Sequence, residues 1–262
     1  MEQVVAAVVD ATKFLTACEA SSQAKKTATL LKTLTVNALI TGEVGVGKKT
    51  LASFILPDAH IIDASNFDEL LLSLENSQNI IITNLEHSPN IERLAKTIKE
   101  KNVRVIATAK NSFSTQLIDE LFSVKFTIPP LRERMEDVQV LIEKFVAQAG
   151  VLFGECNNFD VSNFEPDLSQ NAISLKREVM INYLLQDIQE SELMDIIEHY
   201  LYERLGSKSD YRNYLYLYEV PLIKAGLHKF KSQVQLAESL GLNRNTLRKK
   251  IAEHKKYIGN KI

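Results

Sequence analysis

Residues 42–50 read Gly-Glu-Val-Gly-Val-Gly-Lys-Lys-Thr. Residues 42–48 fit the spacing G-x-x-x-x-G-K, in which glycines let backbone N–H groups curl around phosphates and the lysine reaches the outer ones. The expected phosphate-binding set is Gly42, Glu43, Val44, Gly45, Val46, Gly47, Lys48, Lys49 and Thr50, with ATP or ADP as the ligand. Ser or Thr ordinarily follows the lysine to hold magnesium; here Lys49 follows, and Thr50 comes one place late. No metal is expected. The plainer account of the same residues is a glycine-rich connection that has lost its ligand.

A second chemistry-bearing stretch lies near the carboxyl end. Leu236, Leu240, Leu242, Leu247 and Ile251 can pack two helices across a sharp turn, with Ala237 at the approach and Gly241 in the turn. Asn243 suits the first position of the second helix. Around these stand Gln233, Arg244, Asn245, Thr246, Arg248, Lys249 and Lys250. Arg and Asn carry the forked groups that read guanine and adenine edges, while Lys and Thr hold phosphates. Double-stranded DNA is the expected partner of these seven residues. The plainer account is a solvated basic helix in an ordinary bundle.

These residues need elements to position them. Short β-type runs at 36–41, 60–64, 79–83, 103–107 and 124–128 alternate with helical stretches, including 91–99. That alternation predicts βαβ units and a mainly parallel sheet, with the glycine loop between the first strand and the next helix. Residues 14–34 read as helix before it. After Pro129-Pro130 the β signal stops, and 135–149 and 174–205 read as helices, with 195–205 taken as lid core. The small polar run 206–210 is the best linker candidate. Tyr211, Tyr214, Tyr216 and Tyr218 suit a helical packing surface for dimerisation, with a strand as the alternative.

The run Leu240-Gly241-Leu242-Asn243-Arg244-Asn245-Thr246-Leu247-Arg248-Lys249-Lys250, with 221–227 before it, closely resembles the Fis-type helix-turn-helix that closes bacterial enhancer-binding proteins. The resemblance implies a homodimer formed through residues 216–228 and paired half-sites about one helical turn apart. Residues 39–48 resemble the first phosphate motif of the NtrC-like, sigma-54-interacting AAA+ ATPases. Residues 103–107 resemble the strand of their first sensor, and Pro129-Pro130-Leu131-Arg132-Glu133-Arg134-Met135-Glu136-Asp137-Val138 resembles the segment opening their helical lid. The likeness runs from 21 to 262.

Departures from that pattern bear on mechanism. Where a hydrolytic strand should end in acids, the chain has Asn84 and Leu85; Glu86 lies one step on and points elsewhere if the strand continues. About thirty residues separate Lys48 from this strand, too few for the Gly-Ala-Phe-Thr-Gly-Ala loop by which the family engages its sigma factor. Ser114 and Glu120 stand near the positions of the arginine fingers, and Ile173 where a lid arginine would contact phosphate.

Composition sets the outer bounds. The chain has 262 residues, 45% hydrophobic and 24% charged, which excludes wholesale disorder. Cys18 and Cys156 are too few and too far apart for a disulfide scaffold or zinc cluster, and His60, His87, His199, His228 and His254 form no metal spacing. With no membrane-length apolar run and no export signal, a cytoplasmic location away from membranes is expected. From 218 to 262 there are 10 Lys/Arg against 3 Asp/Glu, a balance of +7 that leaves −9 for the rest of a chain whose total is −2. Such asymmetry suits a polyanion partner at one end.

The fold expected is α/β: a P-loop AAA+ parallel-sheet domain with an α-helical lid, followed by an all-α Fis-type helix-turn-helix. Its parts are an N-terminal helical segment at 1–20 without a receiver domain, the α/β subdomain at 21–134, the lid at 135–205, a linker at 206–215 and the DNA-binding domain at 216–262. The function expected is a sequence-specific transcriptional regulator that holds but does not hydrolyse nucleotide, and that makes no contact with sigma-54 RNA polymerase. The alternatives are a working ATP-driven sigma-54 activator and a nucleoid-associated architectural protein.

Overall fold

The structure is a computed structural model describing residues 14–111, 113, 115–154, 164–186, 188–230 and 232–259. Contacts divide the chain into two compact units, one running to Ile188 and the other from Gln189. The expected helix at the extreme N-terminus falls mostly on residues 1–13, outside the described residues, as do Ser114 and Cys156.

The first unit is built on a five-stranded sheet. Its strands are β1 (Ala38–Thr41), β2 (His60–Asp63), β3 (Asn79–Thr83), β4 (Arg104–Ala109) and β5 (Val124–Thr127), in spatial order β2-β3-β4-β1-β5. Every pairing is parallel. The central strands are short runs of Val, Ile, Ala and Thr because a parallel sheet is covered on both faces. Alternation sorts their side chains: Ala38, Ile40, Ile81 and Ile106 join one core cluster, Leu39, Ile80, Ile82, Val105 and Ala107 the other. Helices α1 (Glu19–Thr33) and α2 (Lys48–Ile55) cover the first face. Helices α3 (Phe67–Asn76), α4 (Ile91–Lys101) and α5 (Gln116–Leu121) cover the second. Beyond β5, α6 (Met135–Phe153) and α7 (Ala172–Gln186) pack through Val138, Ile142, Phe145, Leu175 and Val179 into a helical lid.

One carboxylate ties three of these parts together. Asp137 Oδ1 accepts from the Ala17 and Cys18 N–H groups at 2.6 and 3.0 Å and from the Ser21 hydroxyl at 2.9 Å. Its Oδ2 accepts from Arg134 Nη1 at 2.9 Å, and Arg134 Nη2 donates to the Val46 carbonyl of the glycine loop at 3.1 Å. Both charged side chains are almost fully buried, the arrangement in which a pair must be complete to be tolerated.

The second unit is entirely helical: α8 (Glu190–Tyr202), α9 (Asp210–Tyr214), α10 (Tyr216–Lys229), α11 (Gln233–Ser239), α12 (Arg244–Glu253) and α13 (Lys255–Ile258). Its core gathers Ile223, Leu236, Ala237 and Leu247. Helix α8 groups with this unit, whereas the sequence reading placed its residues in the lid. The expected lid core at 195–205 does not exist as such, since α8 buries none of its residues. The continuous helix expected over 174–205 is interrupted before Gln189, whose side chain and that of Glu192 form a capping box that starts α8. Within the stretch read as linker, Asp210 Oδ2 accepts from the Gly206 and Ser207 N–H groups at 2.7 and 2.8 Å and α9 follows. The tyrosines at 211, 214, 216 and 218 lie on helices, not on a strand. Tyr216 stacks on Tyr257 with ring centres 5.0 Å apart.

Candidate functional site

Strand β1 ends at Thr41 and α2 begins at Lys48, so residues 42–47 form the connection at the sheet's carboxyl edge. Gly45 has φ +81°, and a Cβ there would lie 2.2 Å from the Gln170 carbonyl of the lid, so both backbone and space require glycine. The Lys48 ammonium donates to the Gly42 and Glu43 carbonyls at 2.6 and 2.7 Å. Burial pulls this lysine below its ordinary range, and the nearby Glu86 carboxylate partly restores it. Lys48 is thus the first residue of α2, directly after the loop.

Glu43 and Val44 are held by the lid. Glu43 forms a two-pronged pair with Arg132, Nη2 to Oε1 at 2.6 Å and Nη1 to Oε2 at 2.9 Å, and also accepts from Asn171 Nδ2 at 3.2 Å. The Arg132 hydrogen bond, ahead of that from Asn171, holds the Glu43 carboxyl below the ordinary carboxylate range. Asn171 Nδ2 donates to the Val44 carbonyl at 2.9 Å, and the Ala172 N–H to the Gly45 carbonyl at 3.1 Å. Asn171 is itself buried and left-handed, with φ 53°. Lys49 is exposed, whereas Thr50 lines a cavity of about 190 Å³ with Phe14, Val46, Gly47, Arg134 and Phe145. Arg134 Nε and Gln148 Oε1, also beside this cavity, are buried without hydrogen-bond partners among the described residues.

The end of β3 departs from expectation. The strand stops at Thr83, and Asn84 adopts a left-handed conformation with φ 52°, opening a short 3-10 turn over Leu85–His87. Leu85 is consequently buried in the core, and Asn84 Nδ2 donates to Asp63 Oδ2 at 2.6 Å. Strand alternation would have pointed Glu86 elsewhere; because the strand does not continue, Glu86 comes under the electrostatic reach of Lys48. Its Oε2 is buried and without a hydrogen-bond partner among the described residues. Lys110, which the sequence reading passed over, also acts on Lys48. The signal for it was the length of β4, which runs to Ala109 and not to residue 107. Glu120 is exposed and pairs with Lys99 at 3.6 Å, and Ile173 is half-exposed at 51%. Among the described residues no cluster of three His, Cys, Asp or Glu could hold a metal ion.

In the second unit α11 and α12 meet across the turn the sequence implied. The Leu242 N–H donates to the Ala237 carbonyl at 2.9 Å, and Gly241 has φ +62°, a conformation glycine adopts at little cost. Asn243 Oδ1 caps α12 by accepting from the Asn245 N–H at 2.8 Å, and Ser232 caps α11. Leu236 and Leu247 are fully buried with Leu240 and Ile251 against them; Leu242 is half-buried outside that cluster. Arg244, Asn245, Thr246, Arg248 and Lys249 are exposed on α12, and Gln233 is half-buried at the start of α11. Lys250 is different. Its ammonium pairs with Glu219 of α10, which also meets His254 Nε2 at 2.9 Å. The hydrogen bond from Lys250, then that from His254, holds the Glu219 carboxyl below its ordinary range.

The family described as "Bacterial regulatory protein, Fis family" matches residues 217–254. The DNA-binding transcriptional regulator NtrC of Rhizobium meliloti (strain 1021) is 27% identical over 212 residues, 60% of this chain and 43% of that protein. NtrC of Azospirillum brasilense is 26% identical over 204 residues, covering 60% of this chain and 42% of that one. The crystal structure of NtrX from Brucella abortus in complex with ADP superposes with TM-score 0.62 at 16% identity, over 96% of this chain and 71% of the other. Its counterpart in complex with ATP gives TM-score 0.55, also at 16% identity, over 96% and 72%.

A parallel sheet with a glycine loop at its carboxyl edge and a helical lid, followed by an all-helical unit with a helix-turn-helix, defines an AAA+ architecture with a DNA-binding-type module. Within that class, the chain is similar to NtrC over 60% of its length, and its residues 217–254 match the Fis family of bacterial regulatory proteins. It spans less than half the length of the curated relatives it matches. No described helix is long and apolar enough to cross a membrane.

Proposed function

We propose that this protein is a sequence-specific DNA-binding transcriptional regulator whose AAA+ module holds ATP or ADP without hydrolysing it. The observation that carries the DNA half is the capped α12 with Arg244, Asn245, Thr246, Arg248 and Lys249 all exposed along it. Such a helix fits a major groove, with its early residues toward base edges. Pairing of half-sites requires two copies, and α8 with α10 offers the surface for a homodimer: Leu193, Met194, Ile196, Tyr218 and Leu222 are all substantially exposed.

For the nucleotide half, support comes from the loop at residues 42–48 and the cavity beside it, and from NtrX structures in complex with ADP and ATP. Against hydrolysis stands the end of β3, where Asn84 is engaged with Asp63 and Leu85 is buried. Leu85 cannot polarise an attacking water, and Asn84 is a neutral and weaker magnesium ligand than an acid. One observation favours the second reading, an ATP-driven activator: Glu86, near Lys48, is a carboxylate in reach of the loop. Contact with sigma-54 RNA polymerase is not part of the proposal, because no more than helix α3 and short connections join β2 to β3.

Two measurements test this reading. Binding to genomic fragments should select particular sites over scrambled duplex, and Arg244→Ala or Arg248→Ala should each reduce that discrimination by ~1–3 kcal/mol. Steady-state phosphate release, with and without DNA, should stay at background. Robust turnover lost on Lys48→Ala would replace the proposal with the ATP-driven reading.

A further inference from the structure

We infer that phosphates in this loop are neutralised by the ammonium groups of Lys48 and Lys110 in place of a magnesium ion, so that nucleotide binding is indifferent to metal. The inference rests on the nucleotide reading above and goes beyond it by naming the counter-charge.

Sheet register provides the geometry. Strands β1 and β4 are parallel neighbours with Thr41 opposite Ala109, so the next residue of each, Gly42 and Lys110, leaves the sheet side by side. Lys110 is exposed there, at the mouth of the loop that ends on Lys48. Two ammonium groups brought together without an anion repel, and the charge of Lys110 acts on Lys48 here. An oligophosphate is the kind of ligand that relieves such a pair, since its charge is spread over several oxygens.

All but one of the donors a magnesium ion would need near the loop are committed or turned away. Magnesium at a nucleotide takes one or two carboxylates or hydroxyls in addition to phosphate oxygens. Lys49, one residue past Lys48, is a third cation. Thr50 lies two residues along α2 from Lys48, roughly 200° around the helix, and lines the cavity on the Arg134 side. Thr83 donates its hydroxyl to the Ile62 carbonyl at 3.3 Å, and the Asn84 amide is turned to Asp63. Asp63 is satisfied by Asn84 and by the Ser65 N–H at 3.0 Å and hydroxyl at 2.7 Å, on a strand separated from β1 by β3 and β4. Glu86 is the carboxylate left over: it acts on Lys48, and its Oε2 has no hydrogen-bond partner among the described residues, so Glu86→Gln is the variant that tests it as a metal ligand.

The test is calorimetric titration of the full chain with ATP and with ADP, once in excess magnesium and once in EDTA. Dissociation constants within ~2-fold of each other in the two buffers are expected, and Lys110→Ala should weaken binding at least ~10-fold in both, with Lys110→Arg restoring most of it. Thermal unfolding without nucleotide checks that these exposed substitutions leave the fold intact. Binding that requires magnesium and disappears in Glu86→Gln would overturn the inference while leaving the nucleotide reading in place. Unchanged affinity in Lys110→Ala would also overturn it. Absence of binding in either buffer would remove the nucleotide reading itself.

Discussion

At the scale of single residues, side-chain type and side-chain availability separate. Lys250 belongs to the basic run that suggests DNA contact, yet its ammonium is engaged by Glu219, which also holds His254. Lys249, one residue earlier, is exposed. Lys250→Ala should therefore leave the salt dependence of DNA binding nearly unchanged, while Lys249→Ala reduces the slope by about one. The cost of losing Lys250 should show as stability, about 1 kcal/mol for a partly exposed pair. The sign of its pH dependence follows from Glu219, whose folded carboxyl lies below the ordinary 4.5. Its contribution is complete above that ordinary value and disappears as pH falls through the depressed folded one. In denaturant titrations, Glu219→Gln should thus differ from the parent at pH 7 and converge with it in acid; a gap persisting at low pH would assign the effect to packing.

Elements are held in place by a few buried polar ties that hydrophobic patterning does not encode. Asp137 joins the start of α1 to the start of α6, and through Arg134 reaches the glycine loop. Removing one partner of a buried pair leaves the other charge unsatisfied, so Asp137→Ala should destabilise the first unit by ~3–5 kcal/mol. Urea unfolding monitored on that unit reads this directly. A change below ~1 kcal/mol would mean Arg134 is charge-satisfied elsewhere. Apolar contact sets the second unit's spacing instead. A Cβ on Gly226 of α10 would lie 2.2 Å from Leu236 Cδ1, so the first helix of the module approaches the second across a glycine.

For the whole molecule, charge is unevenly divided, with +7 in residues 218–262 and −9 in the remainder. Attraction to duplex through one end and repulsion by the rest should make binding strongly dependent on ionic strength. If two copies neutralise roughly six phosphates between them, affinity should fall about a thousandfold from 50 to 200 mM salt. Filter-binding or anisotropy over that range gives the slope, and a flat profile would mean that the basic end does not track the backbone. Scrambled and specific duplexes should share this slope and differ in intercept; equal intercepts would favour an architectural protein that does not choose its sites.

The strands, the glycine loop and the helix-turn-helix were legible in the amino-acid order because each depends on local pattern. A parallel strand buried on both faces needs a short apolar run; a phosphate-type loop needs glycines at fixed spacing; α12 needs its Asn243 cap and its leucine period. Long-range pairing was not legible. Glu86 lies near Lys48 because β3 gives way to a left-handed Asn84, and Lys110 stands beside Gly42 because β4 pairs with β1 in that register. Lys250 is diverted by a glutamate 31 positions away in the chain, and Glu43 by Arg132 at 89. Local chain stiffness and alternation act over a few residues, whereas which charges neutralise one another is settled only when the sheet and helices have brought distant segments together.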